Sequence, residues 1–435
     1  MKIYYYTFGC KVNQYETENL KQLFLKRGFD TSDKIIGADV CLVNTCTVTA
    51  NSDSKCRQFL RKVKKQNPYC ILILTGCFPQ AFEDAAYEME ECDIITGSSN
   101  KTEIPELLDE YLSKRQRIIK IVPHKKGEKF EDMSNTEVKT KTRAYIKIQD
   151  GCDQYCSYCI IPYARGHIRS KSLDILKNEI IELSKSGHKE VILVGINLCC
   201  YGKDLDNDIR LIDAIEVACG IDGIERVRLG SLEPEMILDE DIKRMARQKK
   251  LCPHFHLSLQ SGCDRTLKSM NRKYTISEYT ELVNKLRENF ENCAITTDIM
   301  VGFPDETDED FNQSLEFARK IKFSHAHIFP YSQREGTVAA KRDNQISQSI
   351  KEKRARKMTE ICKQSEQDFL QKMIGKSVKV LFERESCTEF HQGFSENYTQ
   401  IKIMRENPLK SLRRTIFCVK IIGYENNYCI GTIIK

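Results

Sequence analysis

Gly151-Cys-Asp-Gln-Tyr-Cys-Ser-Tyr-Cys-Ile160 is the stretch on which the reading of this chain turns. It places three thiols, Cys152, Cys156 and Cys159, within eight residues, with three and then two residues between them. Thiolates so spaced fit one tight loop, able to wrap three irons of a cubane cluster and leave the fourth iron without a protein ligand. A metal site short of one protein ligand is a place for chemistry, whereas structural zinc closes its tetrahedron with a fourth Cys or His. No C-x-x-C or H-x-x-x-H partner follows nearby, and His167, the nearest candidate, stands alone. Ordinary core packing is the remaining alternative in a chain with 20 cysteines, but Gly151 and Pro162 suit neither a core strand nor a helix face.

Working outward, 435 residues allow two or three domains with sizeable cores. The balance of 40% hydrophobic and 30% charged residues is that of a soluble globular protein, and no apolar run reaches membrane-spanning length. Met1-Lys-Ile-Tyr-Tyr-Tyr-Thr-Phe-Gly-Cys10 has neither an apolar h-region nor a small-residue cleavage site, so a cytoplasmic location is expected. Thiols stay reduced there, which favours metal or redox chemistry for a few cysteines and packing for the rest. Residues 113–147 carry 11 Lys/Arg against 4 Asp/Glu, residues 375–435 carry 10 against 6, and Lys351–Lys357 adds a basic helical patch. Such clusters suit a polyanion such as RNA, although single charge runs are commonly solvated helix faces.

Ahead of the cysteine loop, residues 1–125 alternate apolar runs (Lys2–Phe8, Val40–Asn44, Ile71–Thr75, with Ile94-Ile95 and Ile118–Val122 as continuations) with the helical patterns Glu16–Arg27 and Ser52–Gln66. This predicts a small parallel α/β domain. Residues 126–143 are polar and read as a linker. From residue 144 to 373, strands at Ala144–Gln149, Val191–Val194, Arg226–Leu229, Phe255–Leu259, Ala294–Ile299 and His325–Phe329 alternate with helices. Six βα units predict a partial barrel with its chemistry at the strand carboxyl ends, where the cysteine loop falls. After a basic helix at Ser347–Met373, residues 374–435 read as a small antiparallel barrel of the strands Ser377–Glu383, Tyr398–Met404, Arg414–Gly423 and Tyr428–Ile434.

In the first domain Thr7-Phe-Gly-Cys10, Val43-Asn-Thr-Cys46 and Leu74-Thr-Gly-Cys77 each set a cysteine just past an apolar strand. Parallel strands end on one side of their sheet, so Cys10, Cys46 and Cys77 can converge and hold a second cluster. Cys41, Cys56, Cys70 and Cys92 have no such placement.

The Cys152–Cys159 loop resembles that of the radical S-adenosylmethionine enzymes. Three scattered cysteines, that loop and a basic β-rich tail together resemble the methylthiotransferase family over essentially the whole chain. The likeness includes Pro162-Tyr-Ala-Arg-Gly166, Leu229–Pro234, His256-Leu-Ser-Leu-Gln-Ser-Gly262, Asp298–Thr307 and Phe329–Thr337. Cys10-Lys-Val-Asn13 and Asn44–Thr49 resemble the branch acting on N6-threonylcarbamoyladenosine beside the tRNA anticodon. Relatives act on isopentenyladenosine or on an aspartate of a ribosomal protein. A non-catalytic metal-containing RNA-binding protein is the alternative from another class.

The resemblance implies an enzyme with two [4Fe-4S] clusters and S-adenosylmethionine, tRNA bound at its anticodon loop, and outside sources of sulfur and electrons. One S-adenosylmethionine would methylate sulfur at the cluster of Cys10, Cys46 and Cys77, and another would be cleaved at the cluster of Cys152, Cys156 and Cys159. No acid–base residue is expected, because no side chain deprotonates adenine C2 productively. The active site is expected between the first two domains. Expected S-adenosylmethionine contacts are Tyr158, Asn197, Glu233, Gln260, Ser261, Gly302 and Phe303, at strand carboxyl ends. Arg165 and Arg334 are candidates for substrate anion or phosphate, with structural ion pairing as the equal alternative. His256 and His327 read as packed barrel residues, and Cys199, Cys200 and Cys263 as packing cysteines.

Overall fold

The computed structural model describes residues 1–134, 142–383, 389–405 and 411–434. Six strands open the chain: β1 (Lys2–Thr7), β2 (Asp30–Ser32), β3 (Val40–Thr45), β4 (Ile71–Gly76), β5 (Ile94–Thr96) and β6 (Ile118–Lys120). They make one parallel sheet in the order β2-β1-β3-β4-β5-β6. β3 and β4 are buried along their whole length because helices cover both faces, and this is why they read as unbroken apolar runs. Side chains alternate between the faces. Cys41, Val43, Leu72 and Leu74 meet Cys56, Leu60 and Val63 of the helix Ala50–Gln66. Val40, Leu42, Ile71 and Ile73 meet Leu20, Phe24 and Leu108 on the other side. The strand order reverses between β1 and β3, the kind of position where open α/β sheets gather ligands.

Beyond residue 142 come β7 (Arg143–Lys147), β8 (Gln149-Asp150), β9 (Arg169-Ser170), β10 (Glu190–Val194), β11 (Arg226–Leu229), β12 (Ser231-Leu232), β13 (His254–Leu257), β14 (Ala294–Val301) and β15 (His325–Pro330). Two parallel sheets, β11-β10-β7 and β12-β13-β14-β15, meet at Gly230 and form the open barrel. The antiparallel pair of β8 and β9 brackets the cysteine loop. Residues 123–134 are not a bare spacer: Glu128 takes an ion pair from Arg169 at 3.0 Å, Glu131 accepts from the Thr102 amide at 2.9 Å, and Met133 is buried. Residues 135–141 of the expected linker, 126–143, lie outside the described residues, and Arg143 at its end already belongs to β7.

The 26-residue helix Gln348–Met373 packs on β15 and leads to β16 (Ser377–Phe382), β17 (Phe390–Ser395), β18 (Gln400–Met404), β19 (Ile416–Glu425) and β20 (Tyr428–Ile433). These close into a barrel, β16-β17-β18-β20-β19, antiparallel except where β18 runs parallel to β20. β17 was not legible in the sequence, because Phe-His-Gln-Gly-Phe-Ser holds no β-branched residue. Gly393 sits there for space: a Cβ would lie 2.4 Å from the Leu381 carbonyl oxygen. Tyr398, expected in a strand, occupies the turn before β18 with φ 66°. The first long helix starts at Lys11, not Glu16, so Cys10 is its N-terminal cap residue.

Candidate functional site

Cys46 and Cys77 follow β3 and β4 directly and Cys10 stands three residues past β1, and the sheet brings them together. A Cβ placed on Gly9 would stand 2.3 Å from Cys46 Cβ and 2.8 Å from its Sγ, so only glycine fits there, and its φ of 97° requires one as well. Asn13 Nδ2 ties the strand ends by donating to the Phe8 and Thr45 carbonyls, both at 2.9 Å. Burial raises the Cys10 thiol pKa, with Cys77 adding to the shift. It pushes Cys46 up to about 12, with Cys77 and Cys10 contributing. Three thiols, two buried and Cys10 open to the neighbouring cavity, each opposing ionisation of the others, are a donor set that a polynuclear cation satisfies. Among the described residues no three His, Cys, Asp or Glu gather tightly enough for a single metal ion.

Cys152, Cys156 and Cys159 form the second set, on the loop between β8 and the helix Ile161–Arg165. Gly151 starts that loop with φ 74°, and a Cβ on it would lie 1.8 Å from the His167 carbonyl oxygen. The Cys152 amide donates to the Gly166 carbonyl and the Cys159 amide to the Cys156 carbonyl, closing the loop. Asn197 Nδ2 lies 3.8 Å from Cys152 Sγ, and Arg272 Nη1 donates to Cys156 Sγ at 3.5 Å. Arg272 also pairs with Glu233. Burial raises the Glu233 carboxyl pKa and Arg272 opposes the shift. Asn197 Oδ1, Gln260 Oε1, Glu235 Oε2 and Arg272 Nε are buried without hydrogen-bond partners. Polar atoms orphaned at strand carboxyl ends beside three thiols fit a polar cofactor such as S-adenosylmethionine.

The predicted cofactor contacts divide. Tyr158 and Phe303 pack edge to face, 6.4 Å between centroids, beside Tyr331. Asn197 and Glu233 stand beside the loop thiols, and Gln260 follows β13 with its Oε1 unpartnered. Ser261 is turned away, sharing a hydrogen bond with Ser314 of the helix Asp308–Ile321. Gly302 faces the helix Gln348–Met373, where a Cβ would meet Lys351 Cγ at 2.4 Å. Both stand past the carboxyl ends of β13 and β14, as expected of their positions. Arg165 and Arg334 take the structural alternative, for each is paired inside the protein. Arg334 pairs with Asp53 at 2.7 Å and lies over Phe82. Arg165, fully buried, pairs with Glu16 and Asp150, meets Asn13, and donates to Cys77 Sγ at 3.1 Å. Lys101 and Lys147 complete this network at 3.4 and 3.0 Å from Glu16. Burial works against the Glu16 carboxylate, but Arg165, Lys101 and Lys147 hold its pKa below the usual carboxylate range. The packing readings of Cys199 and Cys263 agree with their contacts, the Glu233 amide at 3.3 Å and Asp310 Oδ1 at 3.4 Å.

A cavity of about 660 Å³ joins all three parts of the chain. Cys10 and Lys11 line it from the first sheet, His254, His256, Asp298, His325 and His327 from the barrel, and Phe394 and Asn397–Gln400 from the C-terminal barrel. None of the three loop thiols lines it. The third part is there because arginines of β11 grip it. Arg226 donates to the Phe394 and Lys379 carbonyls at 3.0 and 2.7 Å, and Arg228 donates to Glu396 at 3.0 Å while pairing with Glu190 at 2.9 Å. Arg226-Val-Arg228 within an otherwise apolar strand was the available signal for this dock, as was Met270-Asn-Arg272 for the Cys156 contact.

Cysteine loop, strand-end polar groups and open barrel define a radical S-adenosylmethionine enzyme. Residues 146–318 match the model of the Radical SAM superfamily, and residues 2–97 match that of Uncharacterized protein family UPF0004. The threonylcarbamoyladenosine tRNA methylthiotransferase MtaB of Aquifex aeolicus is 37% identical over 92% of this chain and 96% of its own. That of Thermotoga maritima is 38% identical over 91% and 89%. The tRNA-2-methylthio-N(6)-dimethylallyladenosine synthase of Clostridium tetani is 36% identical over 98% and 91%. The chain belongs to the methylthiotransferase family of radical S-adenosylmethionine enzymes. In fold it is similar to the radical S-adenosylmethionine methyltransferase TsrM of Kitasatospora setae, with TM-score 0.58, 12% identity, and 78% and 74% of the two chains covered. The alternative of a non-catalytic RNA-binding protein is thereby set aside. No helix among the described residues is long and apolar enough to cross a membrane.

Proposed function

We propose that this enzyme adds a methylthio group to C2 of N6-threonylcarbamoyladenosine beside the anticodon of tRNA. The observation that carries the reading is the three-sided cavity, which sets Cys10 of one thiol set against the barrel and under a basic C-terminal barrel. A volume near 660 Å³ suits one extruded, modified nucleoside. In this reading Cys152, Cys156 and Cys159 hold one [4Fe-4S] cluster, and Cys10, Cys46 and Cys77 hold a second. Bound there, the clusters and S-adenosylmethionine supply the one-electron chemistry and the sulfur that no side chain provides.

The protein's own part is positioning. Asn197, Glu233 and Gln260 offer polar groups to S-adenosylmethionine, and Tyr158 and Phe303 offer an apolar wall. Arg272 and Arg165 place positive charge against Cys156 and Cys77, where the sulfurs of a bound cluster would carry negative charge. The C-terminal barrel, held by Arg226 and Arg228, brings Phe394 and Tyr398 to the cavity wall, where the two rings stack on each other with Arg143 over both. Reductant and sulfur source come from outside the chain, and a tRNA substrate places the enzyme in the cytoplasm. Nucleoside mass spectrometry of tRNA from cells with and without the gene tests the substrate. Loss of the 2-methylthio form of threonylcarbamoyladenosine is expected; loss of methylthiolated isopentenyladenosine instead overturns the assignment.

A further inference from the structure

We infer that Lys11 is the residue that recognises the carboxylate of the threonylcarbamoyl group and so sets the enzyme's preference among modified adenosines. The inference rests on the substrate reading above and deepens it. Lys11 follows Cys10 directly and lines the cavity. Among the described residues the cavity's two carboxylates are already engaged: Asp298 with His256 Nε2 at 3.3 Å, and Glu366 with His325 Nδ1 at 2.9 Å. Burial pushes the His254 and His327 pKa values below the ordinary range, so both rings are neutral near pH 7. Lys11 makes no hydrogen bond and no ion pair to any described residue; it is the only Lys or Arg among the described residues lining the cavity, and Asp298 acts on it electrostatically without touching it.

An unpaired cation in a concave, partly dried site favours an anion. The threonylcarbamoyl substituent ends in a carboxylate, whereas a dimethylallyl substituent is wholly apolar. Setting the apolar group against Lys11 would desolvate the ammonium with nothing to replace its water. The same side chain thus attracts one substrate and rejects the other. A hydrogen bond to a charged group of this kind corresponds to about a 10- to 100-fold change in affinity.

The test is a double-substitution cycle on binding, with protein carrying its clusters. Anticodon stem-loop oligonucleotides would bear threonylcarbamoyladenosine, its carboxamide analogue, or isopentenyladenosine. The wild type should bind the carboxylate form about 10- to 100-fold more tightly than the carboxamide. Lys11→Gln should bind the two within about 2-fold, and Lys11→Arg should restore the preference. Iron content measured alongside shows that the neighbouring cluster is retained; were Lys11→Gln to lose it, the wild-type carboxylate-to-carboxamide ratio and Lys11→Arg still decide the matter. An equal loss in wild type and Lys11→Gln, or no loss in the wild type, overturns the role of Lys11 while leaving the substrate reading intact. Wild-type preference for isopentenyladenosine overturns the substrate reading and this inference with it.

Discussion

Arg165 Nε donates to Cys77 Sγ at 3.1 Å, though the arginine belongs to the helix behind one cysteine loop and the cysteine to the other thiol set. The two sets are therefore coupled through one buried guanidinium, which also meets Glu16, Asp150 and Asn13. Arg165→Ala leaves Glu16 and Asp150 under-compensated in a dry interface. A loss of about 3–5 kcal/mol is expected from urea unfolding, with lower iron retention. Arg165→Lys keeps the charge but not the planar fork, so it should recover part of the stability and little of the iron.

Stability should fall in acid for the same reason. Asp150, like Glu16, is opposed by burial but held below the usual range, by Lys147, Arg165 and Arg169. A carboxyl with a depressed folded-state pKa stabilises fully above its unfolded pKa, about 4, and that contribution is lost as the pH falls through and below it. Urea midpoints from pH 7 to 3 should drop most steeply below about pH 4.5. Glu16→Gln should start lower and fall less steeply, by up to about 1.4 kcal/mol per pH unit.

Gly151→Ala puts a methyl group 1.8 Å from the His167 carbonyl oxygen on a backbone with φ 74°. The loop that presents Cys152 must then shift. Anaerobically reconstituted protein should fall from about eight irons to about four, keeping the cluster of the other thiol set. Retention of both clusters would refute the loop assignment.

The grip of β11 on the C-terminal barrel predicts a binding defect without a chemical one. Arg228→Ala removes the bond to the Glu396 carbonyl and the cation over Tyr398, 4.6 Å from its ring centre. Affinity for tRNA should drop about 10-fold or more. Uncoupled release of 5′-deoxyadenosine, measured without tRNA, should be unchanged.

Much of this molecule was legible because local pattern dictates local structure. Unbroken apolar runs in the first domain predict strands buried on both faces, and β3 and β4 are such strands. β17 escaped because its polar residues follow no strand periodicity; barrel closure, not propensity, makes it a strand.

The sequence by itself determined the thiol loop, the order of the elements and the position of each cysteine behind its strand, since spacing and periodicity are properties of the chain. Only the tertiary structure decided which partners surround Arg165, Arg334, Ser261 and Lys11. The fate of a charged or polar side chain depends on which partners arrive from distant segments: Glu16 reaches Arg165 across 149 positions, and Asp53 reaches Arg334 across 281. Lys11 is distinguished by the reverse, for no described residue makes a hydrogen bond or ion pair with it. Burial then multiplies the worth of each charge pair, so contacts invisible in the sequence control the site.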